Sequence, residues 1–570
     1  MFAANHPNLP MTNTKTPLAT PFEAPPPSPP KRPSSREPRG VLWAVILPLI
    51  IVVAAGGIRF YRLGMPERCY FDETYYYYDA RDYLEAGTEA KFAVHPPVGK
   101  WLIAGGLAAF GVDEDSPTQQ AITVEDDNCL VEEDDGEGPN PEVRAREAEE
   151  AFARRAMSAL FGTGAVAVAY FVGLRLFRRR SAALLGAALL ATDGMAVTMS
   201  RISMLDIFLQ FFVLLGVLAL LIDRDHLWRD APTHPFDPDD DQPQHGVGHA
   251  NRTWLWLGGL FLGLAVATKW SGLAPLGLAW AWVLASEMWL RRRWTGRWTA
   301  GLFPAVARGF LALFIVPIVV YVLSYAGWFA NFESTRKAER CDPPVAAADE
   351  QPVDDEAANQ PAVTAEPGHA GCQGRDTITQ ISEGWWEEQG EILRFHRTLE
   401  AEHPYRAPAR TWALMTRPVA YYYESCPEAG PEEGKECEVA PGTVAEVLGM
   451  GNPAMWWMAL VGYLYLLYYI VRRRSWQAMT IALFLFGQSL PYLLSPRPVF
   501  LFYMTPAVPF IALTLAYLSD RALDSRSMRW VPAAITVVAL GGFVFWAPVF
   551  LGMEISRDAW ETLVPFASWI

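Results

Sequence analysis

Lysine is scarce in this chain, seven residues against forty arginines in a total of 570. Nothing in the chain resembles a nucleic-acid-binding stripe with interleaved aromatics, so nucleic acid is not expected as a partner. The first 36 residues, "MFAANHPNLPMTNTKTPLATPFEAPPPSPPKRPSSR", hold no apolar run of the kind a cleaved signal peptide needs. Their Pro, Ser and Thr content reads as a disordered cytoplasmic tail, residues 1–40, ahead of an uncleaved anchor. The acids and histidines of "HPFDPDDDQPQHGVGH" sit among Pro and Gly that fix no ligand geometry, so the stretch is read as a solvated loop and not as a metal site. Inverted internal repeats and polar residues spread through the apolar runs are missing too, which argues against a transporter or lipid flippase.

What is abundant is apolar and aromatic: 51% of residues are hydrophobic and 22 are Trp. Runs such as "VLWAVILPLIIVVAAGGI" and "ITVVALGGFVFWAPVFLGM" match the roughly 20 residues a helix needs to cross a hydrocarbon core. The chain therefore reads as an all-α integral membrane protein. Eleven spans are expected, at 41–60, 156–177, 181–199, 204–222, 253–268, 271–290, 304–327, 453–471, 475–494, 499–519 and 530–551. With the N-terminus inside, this arrangement puts "KRPSSREPR", both "RRR" clusters, "RRRWTGR" and "DRALDSRSMR" all on the cytoplasmic side, as the positive-inside rule requires. The formal charge of −15 says little about partners, because the acids lie in segments between spans.

Two external loops are long. The first, 61–155, carries "CYFDETYYYYDA", then "HPPVGKWLIAGGLAAFGV", whose apolar part is short for a span and suits the interface, then an acidic insertion at 113–142 that reads as a mobile loop. The second, 328–452, carries a low-complexity piece and then "ITQISEGWWEEQGEILRFHRTLEAEH", an amphipathic helix suited to the outer surface. The domain plan is thus a tail (1–40), an N-terminal membrane module (41–327), the large loop (328–452) and C-terminal helices (453–570). All six cysteines, Cys69, Cys129, Cys341, Cys372, Cys426 and Cys437, fall in the two external loops, as disulfides in an oxidising compartment would. Pairing within loops is expected, Cys426 with Cys437 first.

The ionisable residues at span ends form a pattern. Asp72, Glu73, His95, Lys100, Arg155, Arg201, Asp206, Lys269 and Arg497 all fall on or near external ends, where charges normally face a cavity and pair with each other or a ligand. Arginine and lysine suit phosphate, which points to an anionic lipid head group. The carboxylates would then be available for acid–base work. A single cation there is more often a snorkelling anchor, and Asp206 is equally a structural partner of Arg201. Tyr75 to Tyr78 read either as an interfacial belt or as part of a sugar pocket.

Taken in order, "YFDETYY", "HPPVGKW", "RRAMSALFG", "SRISMLDIFL", "ATKWSG", "GNPAMWW" and "SPRPVFLFYMTPAVPF" resemble the protein O-mannosyltransferases, membrane glycosyltransferases of the GT-C class, from about residue 40 to 520. The resemblance implies a GT-C fold of about eleven membrane helices. It also implies inverting transfer of mannose from polyprenyl-phosphate-mannose to Ser or Thr hydroxyls of secreted proteins at the external face of the plasma membrane. By position, Asp72 would be the base and Glu73 would help hold the acceptor peptide. Arg155, Arg201, Lys269 and Arg497, with His95, Lys100 and Asp206 nearby, would serve the donor phosphate and sugar. With that many cations to stabilise a leaving phosphate, no divalent metal or other cofactor is expected. The partners would be the bilayer, the lipid-linked donor and secreted proteins delivered by the secretion translocon. The large loop lacks room for the β-trefoil-type domain of eukaryotic members, which resembles the bacterial branch. The rival reading is a GT-C transferase that moves a polyprenyl-phosphate-linked sugar to a lipid or cell-wall glycan; "GNPAMWW" and "SPRPVFLFY" favour the protein-modifying family.

Overall fold

The computed structural model describes residues 40–89, 94–112, 141–229, 252–299, 301–336, 377–399, 403–430, 437–495 and 497–570. The expected tail, nearly all of the acidic insertion, the 234–249 loop, Cys129, Cys341 and Cys372 lie outside them.

The apolar runs become helices because nothing in a bilayer core can satisfy a backbone N–H or C=O except the helix itself. Helix α1 (Leu47–Phe60) leads into the first loop, which holds α2 (Glu73–Glu85) and α3 (Val98–Ala109). Then come α4 (Pro141–Leu176), α5 (Arg180–Ala191), α6 (Gly194–Met199), α7 (Asp206–Arg229), α8 (Thr253–Thr268) and α9 (Leu273–Thr295). The next span is built of α10 (Leu302–Phe310) and α11 (Val316–Ser324) around a π turn. In the large loop lies α12 (Thr377–Thr398), the expected amphipathic helix. The C-terminal part has α13 (Pro453–Arg473), α14 (Trp476–Phe486), α15 (Val508–Ala522) and α16 (Val531–Leu551).

Seven helical stretches among the described residues are long and apolar enough to cross a membrane: 145–176, 206–229, 270–295, 302–324, 453–473, 501–522 and 526–551. Each coincides with an expected span. The expected spans at 41–60 and 253–268 appear as the shorter apolar helices 44–60 and 253–268. The chain is a multi-pass membrane protein. Burial separates the spans, with 145–176 intermediate at 56%. The most apolar windows of 206–229 and 501–522 are 83% and 89% buried inside the protein, whereas those of 270–295, 302–324, 453–473 and 526–551 are only 22–28% buried. The first pair forms the centre of the bundle, and the others present side chains such as Leu464, Val537 and Val544 outward.

Two expected spans are broken. Residues 181–199 do not form one helix, because Asp193 ends α5 and caps α6 by accepting from Ala196 N at 3.0 Å; a short polar side chain that bonds local backbone starts a new helix more readily than it continues an old one. The stretch 475–494 turns 3-10 at Gly487–Ser489 before a last turn at Leu490–Leu493. Two of the three π turns among the described residues, Leu42–Ile46 and Leu311–Ile315, come just before a proline, Pro48 and Pro317, as expected where a ring displaces the ordinary hydrogen bond. Helix α8 meets the 302–324 span through Gly259 and Gly263: a Cβ on Gly259 would collide with the Ala312 carbonyl, and one on Gly263 would press on Pro317. This is the close approach that a GxxxG stripe permits in lipid.

The large loop adds an antiparallel sheet that an all-α reading does not include: β1 (Val419–Ser425), β2 (Thr443–Gly449) and the short β3 (Ile555–Ser556), in that order. Val419 pairs with Gly449 and Ser425 with Val444, with a bulge at Tyr421. The Cys426–Cys437 disulfide, expected from the sequence, lies within the connection between β1 and β2, starting directly after Ser425, with a Cα–Cα distance of 5.6 Å. Cys69 is disulfide-bonded as well.

Candidate active site

The site lies where the C-terminal ends of α1 and α8 and the N-terminal end of α7 meet the two loops. Phe71 introduces it. Its φ of +59° is unusual for a bulky residue, and an aromatic cage of His403, Tyr421, Phe500 and Phe502 holds the ring, with centroids 5.4–5.8 Å away. This turn delivers Asp72 to the start of α2 and sends its neighbour Glu73 in a different direction.

Glu73 is fully buried. Arg155 grips it with two parallel bonds of 2.9 Å, and Ser203 adds its N–H at 3.0 Å and its hydroxyl at 2.9 Å. Burial pushes this carboxyl up, but Arg155 and Arg154 outweigh burial and hold it at about 2, against 4.5 ordinarily. Arg155 spends its remaining donors on the carbonyls of Leu63, Pro66 and Arg68. The sequence reading placed Glu73 at the acceptor and Arg155 at the donor. The structure instead pairs them with each other, because a bidentate carboxylate–guanidinium pair is the stable state for two charges removed from water.

Two further expected donor ligands are also committed elsewhere. Arg201 donates to the carbonyls of Ile58, Arg59, Tyr61 and Arg62 and so caps the end of α1. Lys100 is buried between Asp79 at 2.9 Å and Glu89 at 2.5 Å. Asp206 pairs with Lys269 at 2.8 Å and not with Arg201.

Asp72 differs from all of these. It is half-buried, and its side chain has neither a hydrogen bond nor an ion pair among the described residues. Burial raises its pKa to about 6; Lys269 and Arg497 act to lower it and Asp206 to raise it. Around it stand Lys269, over the rings of Tyr503 and Phe502 at 5.0 and 5.6 Å, and Arg497, bonded to the Tyr503 hydroxyl at 2.9 Å.

Arg497 also donates to Nδ1 of His396 at 2.5 Å. A guanidinium has no acceptor, so Nδ1 must accept and the ring proton sits on Nε2, which donates to the Val94 carbonyl at 3.0 Å. His396 is therefore a neutral imidazole; burial, then Arg497, pushes its pKa down to about 4. His95 stacks near it, centroids 5.3 Å apart. The sequence reading missed His396, Tyr503 and Trp270, whose ring lies 5.9 Å from that of His396. Trp270 and Tyr503 lie inside the quoted motifs "ATKWSG" and "SPRPVFLFYM", beside residues that were chosen. His396 is a lone histidine one turn after Ile392 on the buried face of α12, and nothing in its spacing points to a site.

Farther along the chain, "GNPAMWW" builds a structural joint. Asp193 accepts from Asn452 N at 3.1 Å and Trp456 Nε1 at 2.8 Å, while the Asn452 amide bonds the carbonyls of Thr192 and Ala539.

Comparison with known proteins agrees with this architecture. The family described as dolichyl-phosphate-mannose-protein mannosyltransferase matches residues 49–128 and 144–330. The C-terminal four-transmembrane region of protein-O-mannosyltransferase matches residues 381–569. Polyprenol-phosphate-mannose–protein mannosyltransferase of Mycobacterium tuberculosis is 26% identical over 494 residues, 84% of this chain and 81% of that one. The protein of the same name in Mycolicibacterium smegmatis is 25% identical over 558 residues, 92% and 93% of the two chains. The Saccharomyces cerevisiae protein O-mannosyltransferase Pmt1-Pmt2 complex, solved bound to the sugar donor, shares the fold, with a TM-score of 0.65 at 15% identity over 94% of this chain and 93% of that one. The fold is that of the GT-C membrane glycosyltransferases. Within that class, the chain belongs to the protein O-mannosyltransferase family.

Proposed function

We propose that this enzyme transfers mannose from polyprenyl-phosphate-mannose to Ser or Thr hydroxyls of proteins emerging from the secretion translocon, at the external face of the plasma membrane, with its N-terminus in the cytoplasm. The observation that carries the reading is Asp72, an unpaired, half-buried carboxylate facing Lys269 and Arg497. The disulfide of the neighbouring hairpin supports the external placement.

A serine hydroxyl is a weak nucleophile at neutral pH. Asp72 accepts its proton as the oxygen attacks the anomeric carbon, and a base with a pKa near 6 is both mostly ionised and basic enough to help. The bond from that carbon to the phosphate oxygen breaks on the opposite face, and its electron pair stays with the lipid phosphate. Lys269 and Arg497 stabilise the charge that develops there, so the leaving group needs no proton. Asp206 holds Lys269 in place, and His396 and Tyr503 hold Arg497. Glu73, Arg155, Arg201 and Lys100 shape the mount on which these groups sit.

The test uses membranes containing the protein, radiolabelled polyprenyl-phosphate-mannose and a Ser/Thr/Pro-rich peptide. Label is expected in the peptide, and label confined to lipid or glycan would end the protein-acceptor reading. Asp72→Asn should lose nearly all turnover and keep donor binding.

A further inference from the structure

Among the four tyrosines that follow Asp72 and Glu73, Tyr76 and Tyr77 are completely buried, so these two are not part of an interfacial belt. Tyr76 lies four residues after Asp72, and its N–H bonds the Asp72 carbonyl at 3.3 Å, so the two side chains share one face of α2. Its hydroxyl is buried and lacks a hydrogen-bond partner among the described residues. The same is true of His95 Nδ1, whose ring lies 6.0 Å from that of Tyr76. An orphaned buried polar atom is costly, and two side by side next to a catalytic carboxylate call for a partner that arrives with a ligand.

The chemistry of the two groups narrows what that ligand is. Lys269 and Arg497 supply the permanent positive charge suited to phosphate. Tyr76 brings only a neutral hydroxyl, and His95 is held neutral by burial and, after that, by the nearby cations Lys269, Lys100 and Arg497. Neutral groups that can both donate and accept match sugar hydroxyls better than a phosphate dianion.

Resting on the donor proposed above, we infer that the Tyr76 hydroxyl, with His95 Nδ1 beside it, binds a ring hydroxyl of the transferred sugar and helps select that sugar. Tyr76 is thus a specificity-determining residue of the donor subsite, separate from the cations that hold the phosphate.

Tyr76→Phe removes one oxygen and leaves the ring packing intact. In the full-length enzyme it should lower kcat/KM for polyprenyl-phosphate-mannose by about tenfold, the loss expected for one neutral hydrogen bond. It should also narrow the preference for the mannosyl over the glucosyl lipid. Affinity for sugarless polyprenyl phosphate, measured by titrating the detergent-solubilised protein, should not change. Tyr77→Phe is the control: that hydroxyl is also unpartnered, but its ring packs on Arg154, centroid 5.6 Å away, and rates should stay at wild type. Unchanged kinetics in Tyr76→Phe would overturn the inference. So would an equal loss of affinity for the sugarless lipid, which would assign the hydroxyl to phosphate, and so would a rise confined to the peptide KM. The titration, run with and without mannose on the lipid, needs no acceptor, so it reads the sugar contact even if label never reaches protein.

Discussion

Replacing Glu73 with Gln keeps the shape of the side chain and removes its charge, leaving Arg155 and Arg154 buried without a counter-ion. Holding the Glu73 carboxyl at about 2 rather than 4.5 corresponds to about 3 kcal/mol in favour of the ionised, folded arrangement. That agrees with the ~3–5 kcal/mol typical of breaking a buried pair from one side. Because the folded pKa lies below the unfolded one, the contribution is complete above about pH 4.5 and disappears as pH falls through about 2. At pH 7, Glu73→Gln should therefore lower the apparent Tm of the detergent-solubilised enzyme by several degrees, and activity should fall through loss of intact protein. Thermal unfolding followed by tryptophan fluorescence, with peptide and donor KM measured on the surviving fraction, separates the two roles. A variant with wild-type Tm and a raised peptide KM would refute the structural assignment and return Glu73 to the acceptor.

The acid limb of the pH–rate profile for kcat/KM should fall near pH 6, where Asp72 takes up its proton, and an acid limb near pH 4 would remove Asp72 as the base. Lys269 lowers that pKa, so Lys269→Gln should move the limb to higher pH as well as slow turnover, and a limb that stays in place would contradict the pairing. Asn452→Ala deletes bonds to two carbonyls and should cost about 1–3 kcal/mol, read as a lower Tm with unchanged donor KM in the folded fraction. Excess chelator should leave transfer intact because Lys269 and Arg497 already neutralise the leaving phosphate; loss restored by Mn²⁺ or Mg²⁺ would show otherwise.

Much of the membrane architecture was legible because a bilayer imposes one rule, long apolar runs made helical, and every helix long enough to cross matched such a run. The breaks were harder to see. Asp193 sits in an apolar context that reads as continuous helix, and only its partners, Asn452 and Trp456 more than 250 residues away, show why the chain turns there. At the site, proximity to a span end gathered the right neighbourhood but could not separate charges bound to each other from charges left for a ligand. Glu73 and Asp72 are adjacent in sequence, yet one is saturated by Arg155 and Ser203 and the other is unpaired. That distinction depends on a left-handed turn at Phe71, for which the sequence offers no glycine as a signal. The sheet of the large loop escaped for a related reason: β1 and β2 pair across the long 426–442 connection, which carries no two-residue hairpin signature.

The stretch from Arg201 to Asp206 meets three separate parts of the protein within six residues. Arg201 grips the end of α1, Ser203 grips Glu73 beside the base, and Asp206 grips Lys269. The carboxylate that would take the proton and a cation that would receive the phosphate charge are therefore referenced to the same short length of backbone. A change in the backbone of this stretch would therefore disturb both ends of the reaction at once.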